Sequence, residues 1–340
     1  MQRSNSWLKR LALTALALGM AGAASADGVR SLSAPGYRYY EVGNLDAPRP
    51  GNTEAAMMLM GGGDWVPEAF HWWVERAGHG RVVILRASGA DELQNELYND
   101  IGGVTSVQTL VFDSRKAADD PAVLRVVRGA DAIFIAGGDQ SRYIRFWKGT
   151  QLNEALNAHV QAGKPIGGTS AGLAILGAYA YGAMDGGSVN SPAAMVDPMG
   201  SEVTMDKDFL AMPYLSNVVT DTHFAKRDRL GRLIVFVARA AQDRGEGDVV
   251  GIGVDEDTAL CVEADGRGRV YSLDDGYAWL VMPRSSADRL ATGQPLEFSA
   301  IPVTGVGKNS QLSMDGFKVD NAAFTAMASV VDGELELRPQ

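Results

Sequence analysis

Cysteine and histidine are both scarce in this sequence of 340 residues. The single cysteine, Cys261, excludes an intrachain disulfide, and its place in the strand-like run Thr258–Val262 predicts a small, buried, apolar residue. With only four histidines, few side chains qualify as a histidine general base. Beyond residue 26 no run approaches 18 consecutive apolar residues, so we expect a soluble mature chain without a transmembrane helix.

Basic residues are fewer than acidic ones. The chain has 31 Lys and Arg against 41 Asp and Glu, which gives a net charge of −10. This balance argues against nucleic acid or an anionic membrane surface as a partner, because both repel an acidic protein. It is compatible with a cationic substrate, although acidity also simply confers solubility.

The first 26 residues have the three parts of a cleavable secretory signal. Arg3, Lys9 and Arg10 are basic, Leu11–Met20 is apolar but too short to span a bilayer, and Ala24–Ala26 is a small-residue cleavage site. We therefore expect cleavage after Ala26 and a secreted or periplasmic protein with no membrane contact after cleavage. An uncleaved anchor helix is the alternative.

After the signal, residues 27–54 are rich in Pro, Gly and polar groups and are interpreted as an N-terminal extension, followed by a single α/β domain over 55–340. From residue 55, short apolar strands alternate with helical patterns, which predicts a mostly parallel sheet flanked by helices. Ligand sites in such sheets lie at the carboxyl ends of the strands. Glycine-rich turns fall there after Met60, Ala136 and Ile166. The predicted elements are strands at 55–60, 81–86, 106–112, 131–136, 218–220 and 249–254, a hairpin from 258–262 and 269–273, helices at 67–77, 121–128, 141–162 and 233–242, and short strands over 278–335.

The segment Gly168–Gly172 has the G-x-S-x-G spacing of a nucleophile elbow around Ser170. A serine on a sharp strand-to-helix turn has a strained backbone, and its neighbours two residues away on either side must lack bulk. The following helix N-terminus also offers unpaired N–H groups to a developing negative charge. An ordinary tight turn between strand and helix is the alternative.

Among the histidines, His223 is the best candidate for a base. It directly follows the apolar strand Val218–Thr220, and it is the only histidine that comes after Ser170 in the chain. His71 lies in an aromatic amphipathic pattern, His79 in a turn and His159 within a helix. A surface role for His223 is the alternative.

Three acidic residues, Asp255, Glu256 and Asp257, end the strand that follows. Any one of them could accept the histidine N–H and stabilise the imidazolium, and spacing does not choose among them. The amides of Gly138 and Asp139, together with that of Ala171, are candidates for an oxyanion hole. A charged turn and a plain strand-to-helix turn are the respective alternatives.

Arginines follow His223 closely in the chain. If the segment is helical, Arg227 shares a face with His223, and Arg229 and Arg232 lie nearby. Arg227 or Arg232 is suited to hold a substrate carboxylate in a bidentate manner. A solvated basic helix, with Asp228 and Asp221 as ion-pair partners, is equally compatible with the spacing.

Four sequence blocks between Phe134 and Ala259 together resemble the cyanophycinases and related aspartyl dipeptidases of one serine-peptidase family. The blocks are GGDQ, GGTSAG, DTHFAKRDRLGR and GIGVDEDTA. The resemblance implies a fold like the class I glutamine amidotransferases, with C-terminal β additions, no metal, no cofactor and a homodimer. It implies Ser170 as nucleophile, His223 as base and Glu256 as its acidic partner. The positions that match the family's substrate pocket are Gln140, Asp221, Arg227, Arg229 and Arg232.

The activity that this resemblance implies is secreted serine-type hydrolysis of cyanophycin, a poly-aspartate with arginine on isopeptide bonds. The product is the β-Asp-Arg dipeptide, formed through an acyl-enzyme on Ser170. The insertion Met184–Met212 does not match the family closely. It therefore leaves open the alternative of an isoaspartyl or aspartyl dipeptidase acting on short peptides.

Two further classes are weighed against this expectation. An α/β-hydrolase esterase also uses G-x-S-x-G, but its acid lies between serine and histidine in the chain, whereas the best acid here follows the histidine. A non-catalytic binding protein on the same fold would keep Ser170 only as a turn residue. The presence of candidate nucleophile, base and acid together disfavours it.

Overall fold

The structure is a computed structural model, which describes residues 23–24, 30–89, 93–245 and 248–340. The expected signal segment, 1–26, lies outside the described residues except for Ala23–Ala24. Within the described ranges, no helix is both long enough and apolar enough to cross a membrane.

The described strands form one sheet of twelve strands and one of eight. The strands are β1 (Ala23–Ala24), β2 (Arg30–Ala34), β3 (Tyr37–Gly43), β4 (Ala56–Met60), β5 (Arg81–Arg86), β6 (Ser106–Phe112), β7 (Ala132–Ile135), β8 (Ile166–Thr169), β9 (Tyr179–Tyr181), β10 (Met205–Lys207), β11 (Val218–Asp221), β12 (Val250–Val254), β13 (Thr258–Glu263), β14 (Arg267–Ser272), β15 (Ala278–Val281), β16 (Phe298–Val306), β17 (Gln311–Ser313), β18 (Lys318–Asp320), β19 (Phe324–Val331) and β20 (Glu334–Pro339).

The helices lie mainly between the strands of the first two thirds of the chain. They are α1 (Pro67–Arg76), α2 (Leu93–Asn95), α3 (Pro121–Arg128), α4 (Gln140–Trp147), α5 (Gln151–Gln161), α6 (Ala171–Ala174), α7 (Ser191–Val196) and α8 (Leu230–Arg244), with a π turn at Glu96–Ile101 and 3₁₀ turns at Arg115–Asp119 and Ala225–Arg227.

The larger sheet has a parallel centre, in the order β6-β5-β7-β8-β4. Its flanking strands pair in antiparallel fashion, as do most strands of the smaller sheet, where only β9, β11 and β12 pair in parallel. The expected mostly parallel sheet is therefore wrong outside the centre. Short connections explain the difference, because hairpins such as the predicted β13–β14 pair, which is confirmed, can only be antiparallel.

Within the expected N-terminal extension, residues 30–43 belong to the larger sheet. Strands β2 and β3 form a hairpin, and β3 pairs along its whole length with β6 of the larger sheet. The sequence did not predict these strands because only a few of their residues, such as Tyr37 and Val42, are buried. A strand with mostly exposed side chains lacks the apolar run by which the central strands were recognised.

The predicted helix over 141–162 is two helices. Helix α4 ends at Trp147, and Gly149 follows with φ of +69°. Helix α5 begins after Thr150, whose hydroxyl oxygen accepts a hydrogen bond from the Asn153 amide at 3.4 Å. A left-handed glycine followed by a capping threonine ends one helix and starts the next.

Strands β7, β8 and β4 are adjacent and parallel, so their carboxyl ends meet at one edge. The three glycine-rich turns predicted there from the sequence do lie together at this edge. Strand β4, which ends at this edge, is buried along its whole length. The prediction that Cys261 of β13 is buried is also confirmed. The fold thus brings Gly61, Gly137 and Ser170 to one place.

Candidate active site

Ser170 occupies the turn between β8 and α6 with a left-handed backbone, φ +52° and ψ −121°. The two flanking glycines explain why this turn closes. A Cβ atom on Gly168 would lie 2.7 Å from the carbonyl oxygen of Gly172, and one on Gly172 would lie 2.0 Å from that of Ile135. No real side chain tolerates such distances, so the G-x-S-x-G pattern is required by the close approach of strand and helix.

Ser170, His223 and Glu256 form a continuous chain of hydrogen bonds. The hydroxyl oxygen of Ser170 lies 2.7 Å from Nε2 of His223, and Nδ1 of the same ring lies 2.6 Å from Oε1 of Glu256. An Nδ1–H that donates to Glu256 leaves Nε2 as the acceptor for the serine proton. The three residues come from the ends of β8 and β11 and from the turn between β12 and β13.

The turn after β4 holds the imidazole in place. The amide of His223, a residue with φ of +46°, donates to the carbonyl oxygen of Gly61 at 2.7 Å. The ring lies against Gly62, where a Cβ atom would come within 2.3 Å of Cε1. The sequence showed a glycine-rich turn here, but its contact with His223 depends on strands far apart in the chain.

The structure separates the three acidic candidates for the histidine's partner. Glu256 contacts the ring, whereas Oδ1 of Asp255 accepts from the Ala225 amide at 2.9 Å. Oδ1 of Asp257 accepts from the Asp64 amide at 2.5 Å. Both aspartates therefore hold loops, and Glu256 alone of the three faces the imidazole.

The pKa of His223 is lowered from its usual value. Burial is the largest cause because it disfavours the charged ring, and the positive charges of Arg227 and Arg229 act in the same direction. The hydrogen bond to Glu256 opposes them without reversing the shift. His223 is therefore neutral at pH 7 and able to accept a proton.

The turn after β7 lies beside the nucleophile. A Cβ atom on Gly137 would be 3.3 Å from Cβ of Ser170, and Gly138, with φ of +152°, is exposed. The Asp139 carboxylate caps α4 by accepting from the amide and hydroxyl of Ser141 at 2.9 and 2.6 Å. Ala171 is the first residue of α6, where helix N–H groups lack intrahelical partners. The turn that carries Gly138 and Asp139 thus reaches Ser170 through Gly137, and Ala171 follows the serine directly, while the oxyanion role of these amides stays a prediction.

Asp221 and Arg232 form a buried bidentate ion pair. Both residues are about 2% exposed, and the guanidinium donates to the two carboxylate oxygens at 2.7 and 2.5 Å. Arg232 also donates to the Ser188 hydroxyl and the Val189 carbonyl, both at 3.0 Å, within the Met184–Met212 insertion. The charged atoms of Asp221 are thus occupied by Arg232 and by Arg229, whose Nη1 lies 3.6 Å from Oδ1, so the pair has a structural role and its expected substrate-binding role stays a prediction.

The remaining pocket candidates differ in exposure. Arg229 is buried, donates to the Thr222 carbonyl at 2.8 Å, and has its pKa lowered to about 10 by burial. Arg227 has half its side chain exposed, with Nε 4.0 Å from Oε1 of Glu256. The segment is a 3₁₀ turn before α8 and not the α-helix considered from the sequence, but the Arg227 amide donates to the His223 carbonyl at 3.1 Å and both side chains approach Oε1 of Glu256. Gln140 is partly exposed at the start of α4.

A cavity of about 230 Å³ opens beside Ser170. Aromatic rings form much of its wall, and among the described lining residues Arg86 is the one with a cationic side chain. From the sequence we predicted a site at these glycine-rich strand ends, but not the aromatic wall or Arg86, because those side chains come from separate elements and form no local motif. The lining residues include Met60, Trp65, Phe70, Arg86, Phe134 and Thr169.

Comparisons with known proteins show which sequences this chain resembles. The profile of Peptidase family S51 matches residues 94–268, just over half of the chain. The cyanophycinase of Synechococcus elongatus is 34% identical over 206 residues, which cover 59% of this chain and 58% of that protein. The chain thus spans less than two thirds of the length of this curated relative. The cyanophycinase of Trichormus variabilis is 29% identical over 250 residues, which cover 71% of this chain and 78% of that protein.

A solved structure shares the fold. The crystal structure of a peptidase from an acI-B1 Actinobacterium superposes with a TM-score of 0.50 at 19% identity and covers 77% of this chain and 98% of that chain. At this level of identity, the likeness extends to the fold alone.

Proposed function

The chain belongs to peptidase family S51, and from this premise we propose that it is a serine peptidase that hydrolyses cyanophycin to β-Asp-Arg dipeptides. The observation that carries the proposal is the unbroken hydrogen-bond chain from Ser170 through His223 to Glu256. The cyanophycinase relatives supply the substrate.

In the proposed reaction, Nε2 of His223 takes the hydroxyl proton of Ser170 while the serine oxygen attacks an aspartyl carbonyl. The amides of Gly138, Asp139 and Ala171 are proposed to stabilise the oxyanion. The tetrahedral intermediate breaks its C–N bond, and the leaving amine takes the proton from His223. Water, activated by the same imidazole, then hydrolyses the acyl-enzyme. Because the product keeps its isopeptide bond, the bond that breaks is a main-chain amide of the poly-aspartate.

Arg227 is the group that we propose for holding a substrate carboxylate. Its guanidinium is half-exposed and lies near Glu256 at the mouth of the site. Gln140, at the start of α4 beside the Gly138 turn, is proposed to donate to the same substrate. Arg229 contributes positive charge from beneath without reaching the surface.

An aspartyl or isoaspartyl dipeptidase is the second candidate. The specific observation in its favour is the modest cavity of about 230 Å³ beside Ser170, which is small for a ligand site. The α/β-hydrolase alternative does not fit, because Glu256 follows His223 in the chain and still contacts it.

The Ser170 elbow at the end of a parallel strand supports a class I glutamine amidotransferase-like fold with C-terminal β additions. The composition of residues 1–26 supports export to the periplasm or the medium, with cleavage after Ala26. A homodimer is proposed from the resemblance, and analytical ultracentrifugation of the purified protein tests it.

The decisive experiment incubates the protein purified from the exporting host with cyanophycin, β-Asp-Arg-containing oligomers and α-aspartyl dipeptides. The Ser170→Ala variant is the matched control. Mass spectrometry of the products is expected to show β-Asp-Arg with the parent alone. Mass spectrometry of the intact protein is expected to show a chain that begins at Asp27. Cleavage of dipeptides without polymer would replace cyanophycinase with dipeptidase. No turnover by a folded parent would favour the non-catalytic alternative.

A further inference from the structure

A groove of about 520 Å³ lies on the larger sheet, on the opposite flank of helix α1 from the Ser170 cavity. Phe70 of α1 faces the cavity, whereas Trp72 and Arg76 of the same helix line the groove. Its floor is formed by alternate residues of β13, β14, β17 and β18. The polar and aromatic lining residues are Trp72, Arg76, Glu263, Arg267, Arg269, Tyr271, Gln311, Ser313, Lys318 and Asp320.

The strand register explains why these side chains share one face. Arg267 pairs with Ser313, which in turn pairs with Lys318. Two residues further along the same strands, Gln311 pairs with Asp320. Because successive residues of a strand alternate between faces, residues two apart point the same way. Cationic and anionic side chains thus stand in rows across an open face.

Much of the positive charge in the groove is available to a ligand. Arg269 and Lys318 are exposed, and among the residues that the structure describes no carboxylate lies within 4.0 Å of either side-chain cation. Glu263 is occupied, since it accepts from Arg76 and from the Trp72 indole at 3.0 Å each. The exposed anion that remains is Asp320.

We propose that this groove is an exosite that binds a stretch of the polymeric substrate outside the catalytic cavity. The inference rests on the proposed function. Each unit of the polymer carries one free carboxylate and one guanidinium, so its charges alternate along the chain. Arg269 and Lys318 pair with the carboxylates, and Asp320 pairs with a guanidinium. The Tyr271 ring offers a face on which another guanidinium stacks.

The groove and the cavity are close enough for one polymer chain to occupy both. Met60, which lines the cavity, pairs with Ala259, which pairs with Tyr271 of the groove. Two strand spacings of roughly 4.8 Å place Tyr271 about 10 Å from Met60. A second attachment at this distance raises the effective concentration of polymer at Ser170 without any change in the chemistry.

The test uses Arg269→Glu/Lys318→Glu in the full chain, with Arg284→Glu/Arg338→Glu as a control of equal charge change at exposed positions outside the groove. The groove variant is expected to lose about tenfold in kcat/KM on the polymer, since two exposed ion pairs are lost and each contributes roughly threefold. Its kcat/KM on an oligomer of two β-Asp-Arg units stays unchanged. In the Ser170→Ala background, retention on bead-immobilised polymer falls by a similar factor.

If the groove variant hydrolyses the polymer and is retained on it as well as the control variant, the exosite proposal is overturned and the proposed function remains intact. If the parent cleaves neither polymer nor oligomer, the proposed function fails, and retention of the Ser170→Ala protein on polymer still decides the groove. A change in sedimentation coefficient with the groove variant alone would also overturn the proposal. A second copy of the chain would then be what covers the groove.

Discussion

Gly62 lies in direct contact with the imidazole of His223, and a Cβ atom at this glycine would stand 2.3 Å from Cε1 and 2.6 Å from Nε2. The backbone at Gly62 also has φ of +107°. The residue thus fixes how closely the histidine approaches Ser170, whose hydroxyl is 2.7 Å from the same Nε2. Any side chain at Gly62 would therefore displace the imidazole of His223.

Gly62→Ala is expected to reduce kcat by about 100-fold, because an added methyl displaces His223 and a misplacement of about 1 Å has this effect. Gly186→Ala is the matched control, since Gly186 has φ of +91° but nothing within 4 Å of its Cβ position. Steady-state kinetics and circular dichroism measure both. Equal loss of activity in the two variants would attribute the effect to backbone strain and contradict the contact.

Glu256→Gln is expected to reduce kcat by about 10³- to 10⁴-fold, because an amide neither stabilises the imidazolium nor fixes its tautomer. Asp257→Asn is the control, since this residue accepts from the Asp64 amide and does not face the ring. We expect it to keep kcat within about fivefold of the parent. A larger loss in Asp257→Asn than in Glu256→Gln would reassign the acidic partner.

The lowered pKa of His223 predicts the acidic limb of the pH profile. Burial favours the neutral imidazole, so the form that accepts a proton predominates at neutral pH and persists below the ordinary pKa of 6.5. We expect kcat/KM to be constant around pH 7 and to fall only at pH values below 6.5. In Glu256→Gln the residual activity falls at still lower pH, because the bond to Glu256 raises the pKa. A limb centred above pH 6.5 would be inconsistent with the buried site.

Asp221→Asn is expected to destabilise the protein by about 3–5 kcal/mol, because it leaves the buried Arg232 without its carboxylate. Arg232→Met is expected to cost less, because Nη1 of Arg229 still lies 3.6 Å from Oδ1 of Asp221. Urea unfolding and substrate kinetics separate this structural role from substrate binding. Folded Arg232→Met is expected to keep a KM near that of the parent. A raised KM at unchanged stability would instead restore the substrate-binding role that the sequence suggested. Arg227→Met is the counterpart that should raise KM without loss of stability.

His159 predicts a pH dependence of stability separate from catalysis. Burial lowers its pKa to about 4 from 6.5, while its Nε2 contacts the Pro165 carbonyl at 2.9 Å. The unfolded chain takes up a proton below pH 6.5, but the folded ring does not until about pH 4. Stability present above pH 6.5 is therefore lost on acidification, by up to about 3 kcal/mol near pH 4. Between pH 7.5 and pH 4.5, the free energy of unfolding measured in urea should decrease less in His159→Gln than in the parent. An equal decrease in both proteins would exclude His159 as the cause.

Local patterns predicted the central strands well. The strands β5, β6 and β12 and the helices α1 and α3 lie within a residue or two of the expected bounds, because buried apolar runs and amphipathic periods are visible in a single segment. The β2–β3 hairpin was missed for the opposite reason. It is stabilised by pairing with β6, a strand more than 60 residues away in the chain. The amino-acid composition of the hairpin itself gives little indication of that pairing.

The sequence by itself determined the candidates Ser170 and His223, since the elbow spacing and the single histidine after it are local facts. The tertiary structure decided between Asp255, Glu256 and Asp257, because three neighbouring carboxylates differ only in which distant loop each one meets. It also turned Arg232 inward onto Asp221 and left Arg227 at the surface. Spacing along the chain shows which residues are near in sequence. The burial and the partners of a side chain determine its charge state and its role, and both arise only when separate strands pack together.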